Sequence, residues 1–272
     1  MVSSRPQAWL PDGLQGRLTA LPGGHTNRCW RLDTARGRYW LRLGCARPER
    51  LGIDRRQELE AHRLAADAGL APAVRFALPE RGLLVLDWLD EPDWRQRTEP
   101  DLAGLMARVA TLHRLPATLP VLDLRQRMQH YLGRLTAVPP ALAACLPRFD
   151  EPALNPAFTP VFCHHDLTAG NLLGERPWLL DWEYAALGDA AFELAVIADG
   201  FGLDPAASAA MLAHYRAGGG ELDPPRLAAR LCWVHLLTAL WAAVQYRHHG
   251  TPSYLALQQG AEARLARALT QY

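Results

Sequence analysis

Apolar and polar residues alternate in short runs over the first third of the chain and fall into helical spacing over most of the rest. Residues 17–22 and 27–33 are mixed apolar–polar runs separated by Pro22-Gly23-Gly24. Residues 38–44 (RYWLRLG) alternate after the turn Ala35-Arg36-Gly37, so three strands are predicted here. From Asp54, a suitable N-cap, to Ala68 the residues Leu59, His62, Leu64 and Ala66 mark a mixed helical face that Gly69 ends. Two further strands are predicted at 73–78 and 82–89. The second, GLLVLDWL, has the apolar density of a buried strand, and the polar break DEPDW follows it.

Beyond that break the spacing predicts helices over 101–112, 122–135, 190–201, 205–217, 225–246 and 254–269. Two short strands are predicted among them, at 159–163 and 177–181, and the Ala-Leu-rich stretch 137–147 reads as ordinary helix. The expected fold class is therefore α+β: a small sheet-rich lobe over 1–89, a short hinge, and a large, mainly helical lobe over 90–272.

Composition narrows the function classes. The 272 residues are 49% hydrophobic and 21% charged, which is ordinary for a globular protein. A net charge of +1 gives no reason to expect nucleic acid or an anionic membrane as partner. No uninterrupted apolar run approaches the roughly 20 residues that span a bilayer. The N-terminal stretch lacks the basic start and apolar core of a signal peptide. Cys29, Cys45, Cys145, Cys163 and Cys232 are odd in number and scattered, so they read as reduced thiols of a cytoplasmic protein. All 29 basic residues are Arg and none is Lys. Any phosphate clamp in this chain therefore has to be an arginine.

One segment carries recognisable chemistry: His164-His165-Asp166-Leu167-Thr168-Ala169-Gly170-Asn171, followed by Leu179-Leu180-Asp181-Trp182-Glu183. Phosphoryl transfer needs a carboxylate beside the attacking hydroxyl, and hard oxygen ligands for the Mg²⁺ that neutralises the phosphates. Asp166 suits the first task; Asn171 and Asp181 suit the second. The pattern H-x-D-x-x-x-x-N with a following metal-binding Asp is that of a kinase catalytic loop. His164 is expected to brace this catalytic loop by hydrogen bonding. A lone His-His-Asp is a weak signal, but the full eight-residue pattern with a strand-end Asp is a much stronger one.

On these residues the chain resembles the aminoglycoside phosphotransferase and choline kinase superfamily, relatives of the protein kinases. The runs HHDLTAGNLL and LLDWEYAALGDAAFELA are most similar to bacterial thiamine kinase-like and choline kinase-like proteins. The resemblance implies a two-lobed, protein-kinase-like fold, ATP and Mg²⁺ as cofactors, and a small-molecule alcohol as partner to a monomer or homodimer. It implies Asp166 as base, Asn171 and Asp181 as Mg²⁺ ligands, Glu183 as an auxiliary ligand, and Asp189 as a brace. It also matches Gly23, Gly24 and Asn27 loosely to a phosphate-covering loop, whose glycines let backbone N–H groups approach phosphate oxygens; taken alone, the same residues read as a plain hairpin turn. Arg42 takes the place of the kinase strand lysine. Glu58 is preferred over Glu60 as its partner, from its distance to Gly69-Leu70-Ala71-Pro72. The adenine edge is expected at the hinge backbone of Asp87, Trp88 and Leu89.

For the acceptor, Trp233, Leu237 and Trp241 share one helix face at i, i+4, i+8 spacing. Such a stripe is more often core than ligand box. Trp182, Asp199, Trp233, Trp241 and Tyr246 nevertheless form a candidate pocket for a cationic alcohol held by cation–π attraction and a carboxylate. Thiamine is the leading expectation. Choline, ethanolamine, an aminoglycoside or a sugar are the alternatives that keep the fold, and the sparse acidic residues of this half speak against an aminoglycoside. A nucleotide-binding pseudokinase would have no use for Asp166, Asn171 and Asp181 together. A metallohydrolase on His164, His165 and Asp166 lacks a further His or Cys ligand.

Overall fold

The strands form where the alternation places them. The computed structural model describes residues 6–22 and 27–272, so Gly23 and Gly24 lie outside the described residues. Strands β1 (Gly16–Ala20), β2 (Arg28–Thr34) and β3 (Gly37–Leu43) run antiparallel in sequence order. Gly37 closes the tight β2–β3 turn at φ 138°, a conformation a side chain would strain. Helix α1 (Arg55–Asp67) starts where Asp54 accepts the N–H groups of Arg56 and Gln57. Strands β4 (Val74–Leu78) and β5 (Leu83–Asp87) complete a five-stranded sheet in the order β1-β2-β3-β5-β4. Leu32, Leu41, Leu83 and Val85 bury one face of it against Leu10 and Leu14.

The face that α1 turns inward is partly polar: Arg55, Glu58 and His62 are buried with Ala61 and Ala65. Buried charge persists in a helix only where it is paired, and those pairs make up part of the site described below.

The remainder is mainly helical: α2 (Leu102–His113), α3 (Leu124–Leu132), α4 (Pro140–Cys145), α5 (Ala190–Gly200), α6 (Pro205–Ala217), α7 (Pro224–His249) and α8 (Pro252–Leu269). Two small hairpin sheets pair β6 (Val161–Cys163) with β9 (Ala186–Gly188), and β7 (Leu172–Leu173) with β8 (Trp178–Leu179). β7 and β9 escape the sequence pattern because strands of two or three residues carry no period to read.

Helix α7 runs 26 residues with a mean hydropathy of 1.6 over its most apolar window, long and apolar enough by those measures to cross a bilayer. That differs from the expectation drawn from the sequence. The window is 78% buried inside the protein, however, so its apolarity is that of a core helix packed by α5 and α8.

Helix α3 ties the two halves together. Arg127 donates to the Leu51 carbonyl at 2.9 Å, His130 hydrogen-bonds the Arg50 carbonyl at 3.1 Å, and Arg134 donates to the Glu49 carbonyl at 3.2 Å. Two residues of α3 and Arg134, just past its end, hold three successive carbonyls of the turn before α1.

Candidate active site

The loop after β6 is shaped by a buried carboxylate. Glu193, fully buried on α5, accepts the backbone N–H groups of His164 at 2.9 Å and His165 at 2.6 Å. Burial pushes Glu193 up to about 7, although those two N–H groups favour its charged form. His165 then turns through φ 66°, and its ring fills the space where a side chain at Gly188 would lie within 2.3 Å of Nε2. Gly188 is therefore required by the loop.

His164 is a brace. Its Nε2–H donates to the Leu180 carbonyl at 2.7 Å, and its Nδ1 accepts the Asp166 N–H at 3.3 Å. That pair of bonds requires a neutral ring, and burial holds its pKa down at about 4. His164 is completely buried and joins the Asp166 loop to the segment carrying Asp181. The bracing role expected from the sequence is the one these two bonds describe.

Asp166 and Asp181 open onto the same cavity, of about 870 Å³, with Asn171 between the loop and the cavity wall. Asn171 donates its side-chain N–H to the Asp166 carbonyl at 2.8 Å and to Asp166 Oδ2 at 2.9 Å. Burial and then the charge of Glu183 push Asp166 up to about 7. The same two causes, in the same order, push Asp181 well above the usual carboxylate range, against the pull of Arg42. Asp181 stands at φ 60°, a left-handed conformation that is uncommon for a side-chain-bearing residue. A divalent cation fits this donor set: the oxygens are hard, two belong to carboxylates whose pKa is raised by burial and then by neighbouring negative charge, and all line one cavity. Ligand atoms of Glu58, Asp181 and Glu183 lie within 4.8 Å of one another.

Two buried arginines stand among these carboxylates. Arg42 on β3 forms a fork with both carboxylate oxygens of Glu58, its Nη2 at 2.8 Å from Oε2, and also reaches Asp181 Oδ1 at 3.2 Å. Burial alone would raise the Glu58 pKa, but Arg42 and Arg55 outweigh it and hold the carboxyl at about 2. Glu183 is buried too, and its Oε2 accepts from Arg55 Nη1 and Asn27 Nδ2, both at 3.0 Å.

The hinge residues are placed differently from expectation. Asp87, Trp88 and Leu89 do not line the cavity. The Asp87 N–H donates to the Ala73 carbonyl, and the Trp88 N–H points to the Arg38 carbonyl at 3.4 Å, so both donors are engaged in the sheet. Cys29 and Trp40 supply the sheet-side wall instead.

Among the acceptor residues the aromatic stripe divides by depth. Trp241 lines the cavity with Leu237 and Thr238. Trp233 is fully buried, donates to the Leu154 carbonyl at 2.9 Å, and packs edge-on against Phe149. Trp182 is fully buried as well, against Phe162 and His164, and donates to the Leu179 carbonyl. Tyr246 is 37% exposed near the end of α7 and is not part of the wall. These three are corrections to the sequence reading: shared helical spacing assigns a face but not how deep in the protein it sits. Asp199 does line the cavity, with Arg264 Nε at 2.9 Å and His235 Nδ1 at 3.4 Å.

Tyr184, Tyr131 and Arg127 complete that end. Arg127 lies over the Tyr184 ring at 5.6 Å. Burial pushes the Tyr184 hydroxyl well above its usual range, and neither it nor Trp241 Nε1 has a hydrogen-bond partner among the described residues. None of Arg127, Tyr131 or Arg264 stands in a motif. Tyr184 does, since it follows Glu183 directly, and that adjacency was the one available signal. Asp189 caps α5 and pairs with Arg226 and Arg230, each at 2.7 Å, away from the cavity.

Comparison with known proteins follows the same outline. The family model described as "Phosphotransferase enzyme family" matches residues 17–230. No curated protein matches the sequence. A choline/ethanolamine kinase family protein from Mesorhizobium loti superposes with a TM-score of 0.80 at 24% identity, covering 97% of this chain and 92% of its own. Choline kinase LicA from Streptococcus pneumoniae, in complex with AMP, gives 0.77 at 18% identity over 97% and 96%. The macrolide 2'-phosphotransferase MphH from Brachybacterium faecium gives 0.64 at 22% identity over 91% of each chain. At these identities the likeness is one of fold.

Proposed function

We propose, from the premise that this chain belongs to the phosphotransferase enzyme family, that it is a small-molecule kinase moving the γ-phosphoryl group of ATP onto a hydroxyl of a small cationic alcohol. The observation that carries the reading is one cavity lined by Asp166, Asn171 and Asp181 together with the Glu58-anchored Arg42, which reaches Asp181. Asp166 accepts the proton of the attacking hydroxyl, and a pKa near 7 suits a group that must take up and release a proton around neutrality. Arg42, immobilised by two carboxylates, offers a fixed positive charge to the phosphates. Bound Mg²⁺, held by Asn171 and Asp181, would supply the charge neutralisation that phosphoryl transfer needs.

Thiamine is our leading acceptor. Trp241 and Tyr184 offer flat faces and Asp199 a negative charge in the same wall, which suits a planar ring with a fixed positive charge. Choline and ethanolamine are supported by the same carboxylate–aromatic pair and by the superposed choline kinases. Arg95, Arg127 and Arg264 also line the cavity, and they weigh against polycationic aminoglycosides.

The test is acceptor-dependent ADP release from Mg·ATP across thiamine, choline, ethanolamine and an aminoglycoside. Turnover with a cationic alcohol is expected, and Asp166→Ala should abolish it while the protein still folds and binds ATP. An Asp166→Ala protein with normal turnover would remove Asp166 from the chemistry. Mg·ATP binding with no acceptor-dependent release would leave a nucleotide-binding module in place of an enzyme.

A further inference from the structure

Arg55 is the first residue of α1, buried, and belongs to no motif. Its guanidinium nevertheless touches three parts of the site. Nη1 donates to Glu58 Oε2 at 2.8 Å and to Glu183 Oε2 at 3.0 Å, and Nη2 donates to Asn27 Oδ1 at 3.1 Å. Asn27 closes a ring by donating its own side-chain N–H to Glu183 Oε2. The backbone makes room for this: a Cβ at Gly44, just past β3, would fall 2.6 Å from Arg55 Nη2.

We infer that Arg55 is a positioning residue of the phosphotransfer site, one guanidinium that fixes Asn27 and holds Glu183 beside it, so that the acidic cluster around Asp181 carries two cations rather than one. Glu183 is held by Arg55 and Asn27, and Asp181 by Arg42. Three acidic groups, Glu58, Asp181 and Glu183, cluster within 4.8 Å of one another, and two arginines, Arg42 and Arg55, stand among them. Removing Arg55 leaves one arginine for three carboxylates. The cluster then attracts a divalent cation more strongly, while Asn27 and Glu58, and with Glu58 the Arg42 fork offered to the phosphates, lose a brace. A residue serving stability alone would not shift metal and nucleotide affinity in opposite directions.

This inference rests on the kinase reading but not on the identity of the acceptor, so it is tested by binding. Mn²⁺ affinity is measured by electron paramagnetic resonance without nucleotide, and nucleotide affinity with a fluorescent ATP analogue. Arg55→Met is expected to bind Mn²⁺ about fivefold more tightly and the analogue about tenfold more weakly. Adding Glu183→Gln to Arg55→Met should return Mn²⁺ affinity to that of the wild type. Arg55→Lys keeps the charge but cannot bridge three partners. It should hold Mn²⁺ affinity steady and still lose about fivefold in analogue affinity. A folded Arg55→Met protein with both affinities within twofold of wild type overturns the inference. If that variant fails to fold, unchanged analogue affinity in Arg55→Lys overturns it instead. Wild-type protein that does not bind the analogue would sink the kinase reading itself, a result separate from either.

Discussion

Arg42–Glu58 and Arg264–Asp199 face the same cavity, yet the first pair leaves 2% of each side chain exposed and the second leaves 35% and 15%. The buried pair is a two-pronged fork, locked from a third side by Asp181 and from a fourth by Arg55. The other joins helices α5 and α8 more loosely, with Arg264 Nε 2.9 Å from Oδ1 and Nη2 3.5 Å from Oδ2, and is reached by solvent. Water screens the second pair and hardly touches the first, so the two respond differently to loss of a partner. One end of the cavity is built to stay as it is. The other holds a carboxylate whose present cation can be exchanged for a cationic ligand.

The contrast is broken most severely at the buried pair. Arg42→Ala leaves Glu58 with Arg55 alone and takes the cationic partner from Asp181, and a loss of about 3 kcal/mol in unfolding free energy is expected, read by urea denaturation. Turnover should fall by about 10²-fold or more in a coupled ADP assay, since a fixed charge on the phosphates is lost. Asp199→Asn should leave the KM for ATP within twofold and raise the acceptor KM about tenfold, the signature of a group that contacts only the acceptor. An equal effect on both constants would show that the two ends are not independent.

Arg264→Gln sharpens the contrast from the other side. It frees Asp199 for the ligand, so the acceptor KM should drop about threefold, with a stability change below about 1 kcal/mol. Asp166→Asn should lose turnover as Asp166→Ala does, but its effect on stability is small and depends on pH. Burial and then the charge of Glu183 raise the folded-state pKa of Asp166 from the ordinary 3.8 to about 7, so folding favours its protonated form. The stabilisation is complete below about pH 4 and lost as pH rises through 7. A neutral Asn should therefore raise Tm by about 2–4 °C at pH 8 and leave it unchanged near pH 4, measured by calorimetry on nucleotide-free protein. The same pKa makes kcat/KM of the wild type fall as pH drops below 7, because the base is then protonated.

What could be read from the sequence follows physical range. The Asp54 cap, the 205–217 helix and the β2–β3 hairpin lie within a residue of their predicted limits, because caps, turns and periods are local. Asp166, Asn171 and Asp181 were legible because one loop and its neighbouring hairpin carry them. Arg55 and Arg127 were not, since their partners lie as far as 128 and 76 residues away and no local pattern marks such pairs. Trp182 and Trp233 misled for a related reason: an indole beside a motif or on an apolar stripe looks the same in sequence whether it faces a ligand or the core. The hinge at 87–89 failed because the sequence does not show that Asp87 and Trp88 donate their backbone N–H groups within the sheet.

The arginine at position 42 has a consequence outside catalysis. Reagents that tag nucleotide-binding enzymes by acylating the amine beside the phosphates need a deprotonatable nitrogen there, and a guanidinium locked between Glu58 and Asp181 offers none. With no lysine anywhere in the 272 residues, acetylation, ubiquitination and crosslinking at lysine side chains have no foothold in this chain. A proteome survey that finds kinases by lysine labelling would pass over this one even while it was binding ATP.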